Sequence, residues 1–144
     1  MTKRAIAGLL AAGVLAACAP ASVTMGKLPA IASAADAGEV VVVRERGFIA
    51  NDFSYYVNVD HENIVAIAAG EHTRFKLPAG EHRIAIRCYA PLDGSWNETV
   101  LTERIAAQRT LYLQVAPKAG CASIEALSEG EAKKRLARTD LKEL

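Results

Sequence analysis

The sequence predicts an all-β domain: an antiparallel β-sandwich of about seven or eight strands, finished by one short C-terminal helix. Three observations carry that prediction. Runs rich in Val, Ile, Thr and Tyr recur from Glu39 onward, several with strict period-two alternation. Turn residues separate these runs at intervals of about 8–12 residues, the spacing of a sandwich or barrel. Ser128 stands three residues before Glu131, a capping-box pattern, just ahead of the one stretch with helical spacing.

Each element follows from its own residues. Val40-Val41-Val42-Val43 is a β-branched run with the composition of a buried strand, and Gly47 ends it. Tyr55, Val57 and Val59 alternate with Tyr56, Asn58 and Asp60, a half-buried strand. Asp60 to Asn63 is a polar turn, and Ile64 to Ala68 returns as the next strand before Gly70 turns the chain again. Thr73, Phe75 and Leu77 alternate with Arg74 and Lys76. Pro78-Ala79-Gly80 reads as a tight hairpin connection into a strand from Glu81 to Tyr89, with Ile84, Ile86 and Cys88 on one face. Ala90 to Asn97 holds Pro91, Asp93-Gly94 and Trp96 and reads as a loop. Thr99 to Ile105, Thr110 to Val115 and Gly120 to Leu127 are the last strand candidates. In the helix that follows, Ala132 and Leu136 share a face, and Lys133, Lys134, Arg135 and Arg138 read as a solvated face.

The front of the chain has a different texture. Lys3 and Arg4 precede an uncharged apolar run from Ala5 to Ala17, the make-up of a secretory signal. The run is shorter than the roughly 20 apolar residues that span a bilayer, and Ala19-Pro20 interrupts any continuing helix. Residues 18–38 are rich in Ala, Ser, Pro and Gly without sustained period and read as a flexible tether. Such a chain has a reach of roughly 25 Å. A packed strand around Leu28 to Ile31 is the alternative. The folded domain is expected over residues 39–144.

Leu15-Ala16-Ala17-Cys18 resembles the bacterial lipoprotein box at every position. That resemblance implies removal of residues 1–17, a diacylglycerol thioether on Cys18 and an acylated new amino terminus. Two or more acyl chains give stable anchoring where one is marginal. Ala19 after the cysteine points, on the same resemblance, to the outer membrane, with the domain facing the periplasm.

Composition bounds the partners. The 144 residues carry a formal net charge of +1, and loss of Lys3 and Arg4 with the signal brings the remainder to about −1. A near-neutral chain has no electrostatic footprint for nucleic acid. With Cys18 committed to lipid, Cys88 and Cys121 are an even pair in an oxidising compartment, which favours a disulfide. Cys88 should point inward with Ile84 and Ile86, while Cys121 conflicts in register with Ile124 unless a bulge lies near Gly120.

Catalytic patterns are sparse. His61, His72 and His82 fall in or beside turns, and no Gly-x-Ser-x-Gly elbow, Gly-rich phosphate loop or Cys/His metal spacing is present. Ala69-Gly70-Glu71-His72 returns as Ala79-Gly80-Glu81-His82; in one hairpin the two histidines would stand over about 10 Å apart, too far to share an ion. The repeat reads as turn chemistry. No catalytic residue, metal or cofactor is expected. Tyr89 and Trp96 form a candidate contact patch for a peptide, glycan or envelope protein. The alternative is a Trp folded down over one end of the sandwich.

From Glu39 to Ala137 the order of elements resembles a family of uncharacterised bacterial lipoproteins, a domain of unknown function. The resemblance lies in the valine strand with Arg44, the Val59-Asp60 turn, Leu77-Pro78-Ala79-Gly80-Glu81-His82 leading into Ile84-Ala85-Ile86, Leu111-Tyr112-Leu113-Gln114-Val115, and the final Glu-Ala-Lys-Lys helix. It implies a PEGA-like, Ig-like or transthyretin-like sandwich and no catalytic residues. The function expected is a lipid-anchored, non-catalytic envelope lipoprotein that binds an envelope protein or polymer. A cell-wall hydrolase, or an inhibitor of one resembling lysozyme-inhibitor lipoproteins, is the alternative.

Overall fold

The computed structural model describes residues 23–144 other than 48 and 51. Residues 1–17, Cys18 and the start of the tether lie outside the described residues. The described chain is an all-β sandwich with one short helix. One sheet holds β1 (Ala37–Arg44), β4 (Glu71–Pro78), β7 (Thr110–Lys118), β8 (Cys121–Leu127) and β9 (Asp140–Leu141), in the order β8-β7-β1-β4-β9. The other holds β2 (Tyr55–Val59), β3 (Glu62–Ile67), β5 (Gly80–Ala90) and β6 (Ser95–Ile105), in the order β3-β2-β5-β6. Most ladders are antiparallel, but β1 runs parallel to β7 and β4 runs parallel to β9.

The valine run is buried on both faces, and its period of two explains how. Val40 and Val42 point between the sheets with Val57, Ile84, Ile86, Leu77 and Leu113. Val41 and Val43 point the other way and are also buried. The helix α1 (Glu129–Leu136) packs against β1 and β7 and buries Ala132 completely. Its capping box is formed: the Ser128 hydroxyl accepts from the Glu131 N–H, and the Glu131 carboxylate reaches back to Ser128. Its basic face is not simply solvated. Arg135 and Arg138 both bind Glu45, which ties the helix to the end of β1.

Three expectations about connections are corrected. Pro78-Ala79-Gly80 does not close a hairpin: β4 pairs with β1, and β5 pairs with β2 and β6. The same tight turn carries the chain from one sheet to the other, so His72 and His82 stand in different sheets. Half of the span from Ala90 to Asn97 is strand, because β5 and β6 continue until only Pro91 to Gly94 are left as the tip. No bulge separates Gly120 from Ile124; the β7–β8 register is continuous from Lys118↔Cys121 to Tyr112↔Leu127. A two-residue turn does the work instead, with Gly120 at φ +89°, where a side chain would be strained.

The Cys88–Cys121 disulfide is present, with Cα atoms 5.4 Å apart. It joins β5 of one sheet to β8 of the other. Beside it the Thr99 hydroxyl donates to the Ala122 carbonyl at 2.6 Å, a second tie between the sheets. On the opposite side the chain upstream of β1 rests on the body. The Gly26 N–H donates to the Asn63 carbonyl at 2.7 Å, and Leu28 packs against the core. The ordered body thus reaches back before residue 39, although Leu28 to Ile31 form no strand.

Candidate functional site

The site is built at the end of the sandwich where β1, β3, β5 and β7 finish and β2, β6 and β8 begin. Alternation along β2 sends Tyr55 inward and Tyr56 outward. On β5 and β6 it sends Tyr89 and Trp96 outward as a directly opposed cross-strand pair. The Trp96 ring lies 5.3 Å from Tyr89 and 5.4 Å from Tyr56, tilted against the first and nearly edge-on to the second. These are the separations at which aromatic pairs attract. Trp96 is therefore a strand residue packed between two tyrosines, rather than a loop residue folded over the sandwich end. It keeps 38 % of its surface exposed, and Tyr89 keeps 43 %.

A polar network holds this aromatic shelf from behind. The Arg87 guanidinium lies 5.0 Å from the Trp96 ring centre, within cation–π range, and donates to Asn63 Oδ1 at 3.3 Å. Asn58 donates to the same oxygen at 3.1 Å, and Arg83 bridges Asn58 and Glu98. The β5–β6 tip is fixed by Asp93, whose carboxylate accepts from the Ser95 N–H at 2.9 Å; hydrogen bonding from Ser95 holds Asp93 below the usual carboxylate range. Leu92, at that tip, is fully exposed.

The facing wall is the β1–β2 connection, which carries the exposed Ile49 and Phe53. Between wall and shelf lies a groove of about 420 Å³, lined among others by Phe53, Tyr56, Tyr89, Pro91, Lys118 and the disulfide. Arg44 positions the wall. Period two places it on the core side after Val40 and Val42, and it is only 1 % exposed. Its guanidinium stacks 3.8 Å from the Tyr55 ring centre. It donates to the carbonyls of Phe53 at 2.5 Å, Ala50 at 2.5 Å and Ile67 at 2.9 Å. Burial pushes its pKa down, while Tyr55 and Glu71 oppose the shift. Ala50, whose carbonyl accepts one of these bonds, has φ +55°, in the left-handed region that residues other than glycine seldom adopt.

The sequence placed Tyr89 and Trp96 together, and the structure does the same. Tyr56, Phe53, Leu92 and Arg44 were missed, although alternation from Tyr55 and from Val42 signals the outward Tyr56 and the inward Arg44. Cys18 lies outside the described residues. Among the described residues no group of three His, Cys, Asp or Glu side chains is arranged to hold a metal ion. His82 contacts Asp60 through Nδ1 at 2.7 Å and the Pro78 carbonyl through Nε2 at 2.9 Å, so both ring nitrogens are engaged within the fold. His72 Nδ1 lies 2.9 Å from the Thr139 hydroxyl and holds the C-terminal tail to β4. Comparison with family models, with curated proteins and with solved structures finds no match.

Proposed function

We propose that this chain is a lipid-anchored, non-catalytic protein of the bacterial cell envelope, held in the outer membrane through Cys18. In this reading the Tyr56–Tyr89–Trp96 shelf grips an envelope protein or polymer. The observation that carries the binding role is that shelf. Trp96 is held outward against both Tyr56 and Tyr89, with the exposed Phe53 lining the same groove and Leu92 exposed at the β5–β6 tip. An exposed apolar patch rimmed by polar groups is the usual mark of an interaction site. Rigid tyrosine and tryptophan side chains give contact area with little loss of side-chain freedom.

The protein reports on its own site, because Trp96 is its single tryptophan. Soluble cell-wall fragments, or peptides from envelope proteins, should shift the Trp96 emission in a saturable way. Trp96→Ala should abolish retention on the same ligand without unfolding the sandwich. Saturable binding that leaves both the emission and the Trp96→Ala variant unaffected would place the contact elsewhere. The anchor is tested separately: membrane-extracted protein should have the mass of residues 18–144 plus acyl chains, and a soluble form with unmodified residue 18 contradicts it.

A further inference from the structure

A second groove lies along the β3 edge of the sandwich and meets the first at Ser54, which lines both. Its floor is the edge strand β3, through Ile64 and Val65. One wall is the strap leading into the domain, with Met25 and Leu28; the other is the C-terminal tail. Both walls are fixed by backbone hydrogen bonds. The Gly26 N–H binds the Asn63 carbonyl, and the Lys142 N–H binds the His72 carbonyl, each at 2.7 Å. The strap lies close at Gly26: a Cβ there would come within 2.1 Å of the Glu62 carboxylate, so a larger residue would make the Glu62 side chain move. The groove is open to solvent along its length and has a volume of about 630 Å³, within the range of small-molecule sites.

Charge distinguishes this groove from an ordinary surface furrow. Lys27 and Lys142 line it from opposite walls, and neither ammonium has an ion-pair partner among the described residues. The carboxylate beside them, Glu71, is engaged by the Ala68 N–H at 2.8 Å. An apolar channel with two unpartnered cations at its rim matches a molecule with an apolar chain and an anionic head. We infer that the groove binds a single-chain anionic amphiphile of the fatty-acid class. The chain lies against Met25, Leu28, Ile64 and Val65, and the carboxylate is held between Lys27 and Lys142. The acyl chains expected on Cys18 are a poorer fit, because their amide, ester and thioether links leave no anionic head for the lysines.

The test uses mature-length protein in two forms, acylated in nanodiscs and unacylated with Cys18→Ser, titrated with dodecanoate and with dodecanol. The inference predicts saturable, one-to-one dodecanoate binding in both forms and weaker binding of dodecanol. Lys27→Gln with Lys142→Gln should weaken dodecanoate about tenfold, as loss of two exposed charge contacts would. Met25→Asp, at a half-exposed position that the fold tolerates, should weaken both ligands. Absence of saturable dodecanoate binding overturns the inference, as does equal affinity for the two ligands with no response to the lysine pair. Binding confined to the unacylated form also overturns it, assigning the groove to the protein's own acyl chain.

Discussion

Arg44→Ala is the most informative single perturbation of this fold. The guanidinium makes three hydrogen bonds to carbonyls and stacks on Tyr55, and all four contacts converge on the end of the sandwich. A hydrogen bond from a charged donor contributes about 1.5–3 kcal/mol, and a desolvated cation–π contact about 2 kcal/mol. Simple addition gives well over 6 kcal/mol, which overstates the loss for two reasons. Burial of the cation is itself costly, as its lowered pKa indicates, and deletion relieves that cost. The Ala50 and Phe53 carbonyls belong to a surface connection and can turn to water, whereas the Ile67 carbonyl lies in the interior and cannot. The expected net destabilisation is about 3–5 kcal/mol, typical of a buried charged group removed from its partners. Urea unfolding followed by circular dichroism measures it, with hydrogen exchange over residues 45–54 as a second reading. Arg44→Lys, with one donor centre in place of a fork, should fall between wild type and alanine. A loss below about 1 kcal/mol, or an unchanged exchange rate in the connection, would refute the role assigned to Arg44.

Further outcomes follow from the same contacts. Reduction of Cys88–Cys121, or its replacement by serines, should cost about 3–4 kcal/mol from the loop-closure entropy of a 33-residue separation, read as a lower urea midpoint. Desolvation, with Arg74 adding to it and Asp140 opposing, holds the His72 pKa below the usual 6.5. The unfolded chain therefore binds a proton that the folded chain resists. His72 leaves stability intact above about pH 6.5 and erodes it as pH falls below that value. Wild type should lose more melting temperature than His72→Gln between pH 7 and pH 5, and parallel curves would count against this. Ser128→Ala removes the helix cap and should cost about 1 kcal/mol in the same urea assay.

Local chemistry was legible where it acts alone. The four valines announce a strand buried on both faces, and Ser128 with Glu131 announces the helix that covers one of them. Partner choice was not legible. Pro78-Ala79-Gly80 has the residues of a tight turn, but a tight turn can close a hairpin or lead to a second sheet, and only distant pairing with β1 decides. The parallel pairing of β1 with β7 joins residues some 70 positions apart and leaves no local pattern. β9 is two residues long, too short for any periodicity to show. Pro91, Asp93 and Gly94 beside Trp96 favour a loop on sequence grounds. On an edge strand open to solvent, Ser95 to Glu98 need no apolar alternation to remain extended. The buried Arg44 is the costliest omission, because its position two residues after Val42 points it inward.

The claim that the aromatic end of the sandwich is the working surface is tested most directly in intact cells. A photo-reactive amino acid at Leu92, on the β5–β6 tip, is compared with one at Ala107, an exposed turn at the opposite end. The account predicts a discrete cross-linked species from Leu92 that disappears when Trp96 is changed to Ala, and none from Ala107. A species formed equally from both positions, or from Ala107 alone, would contradict it.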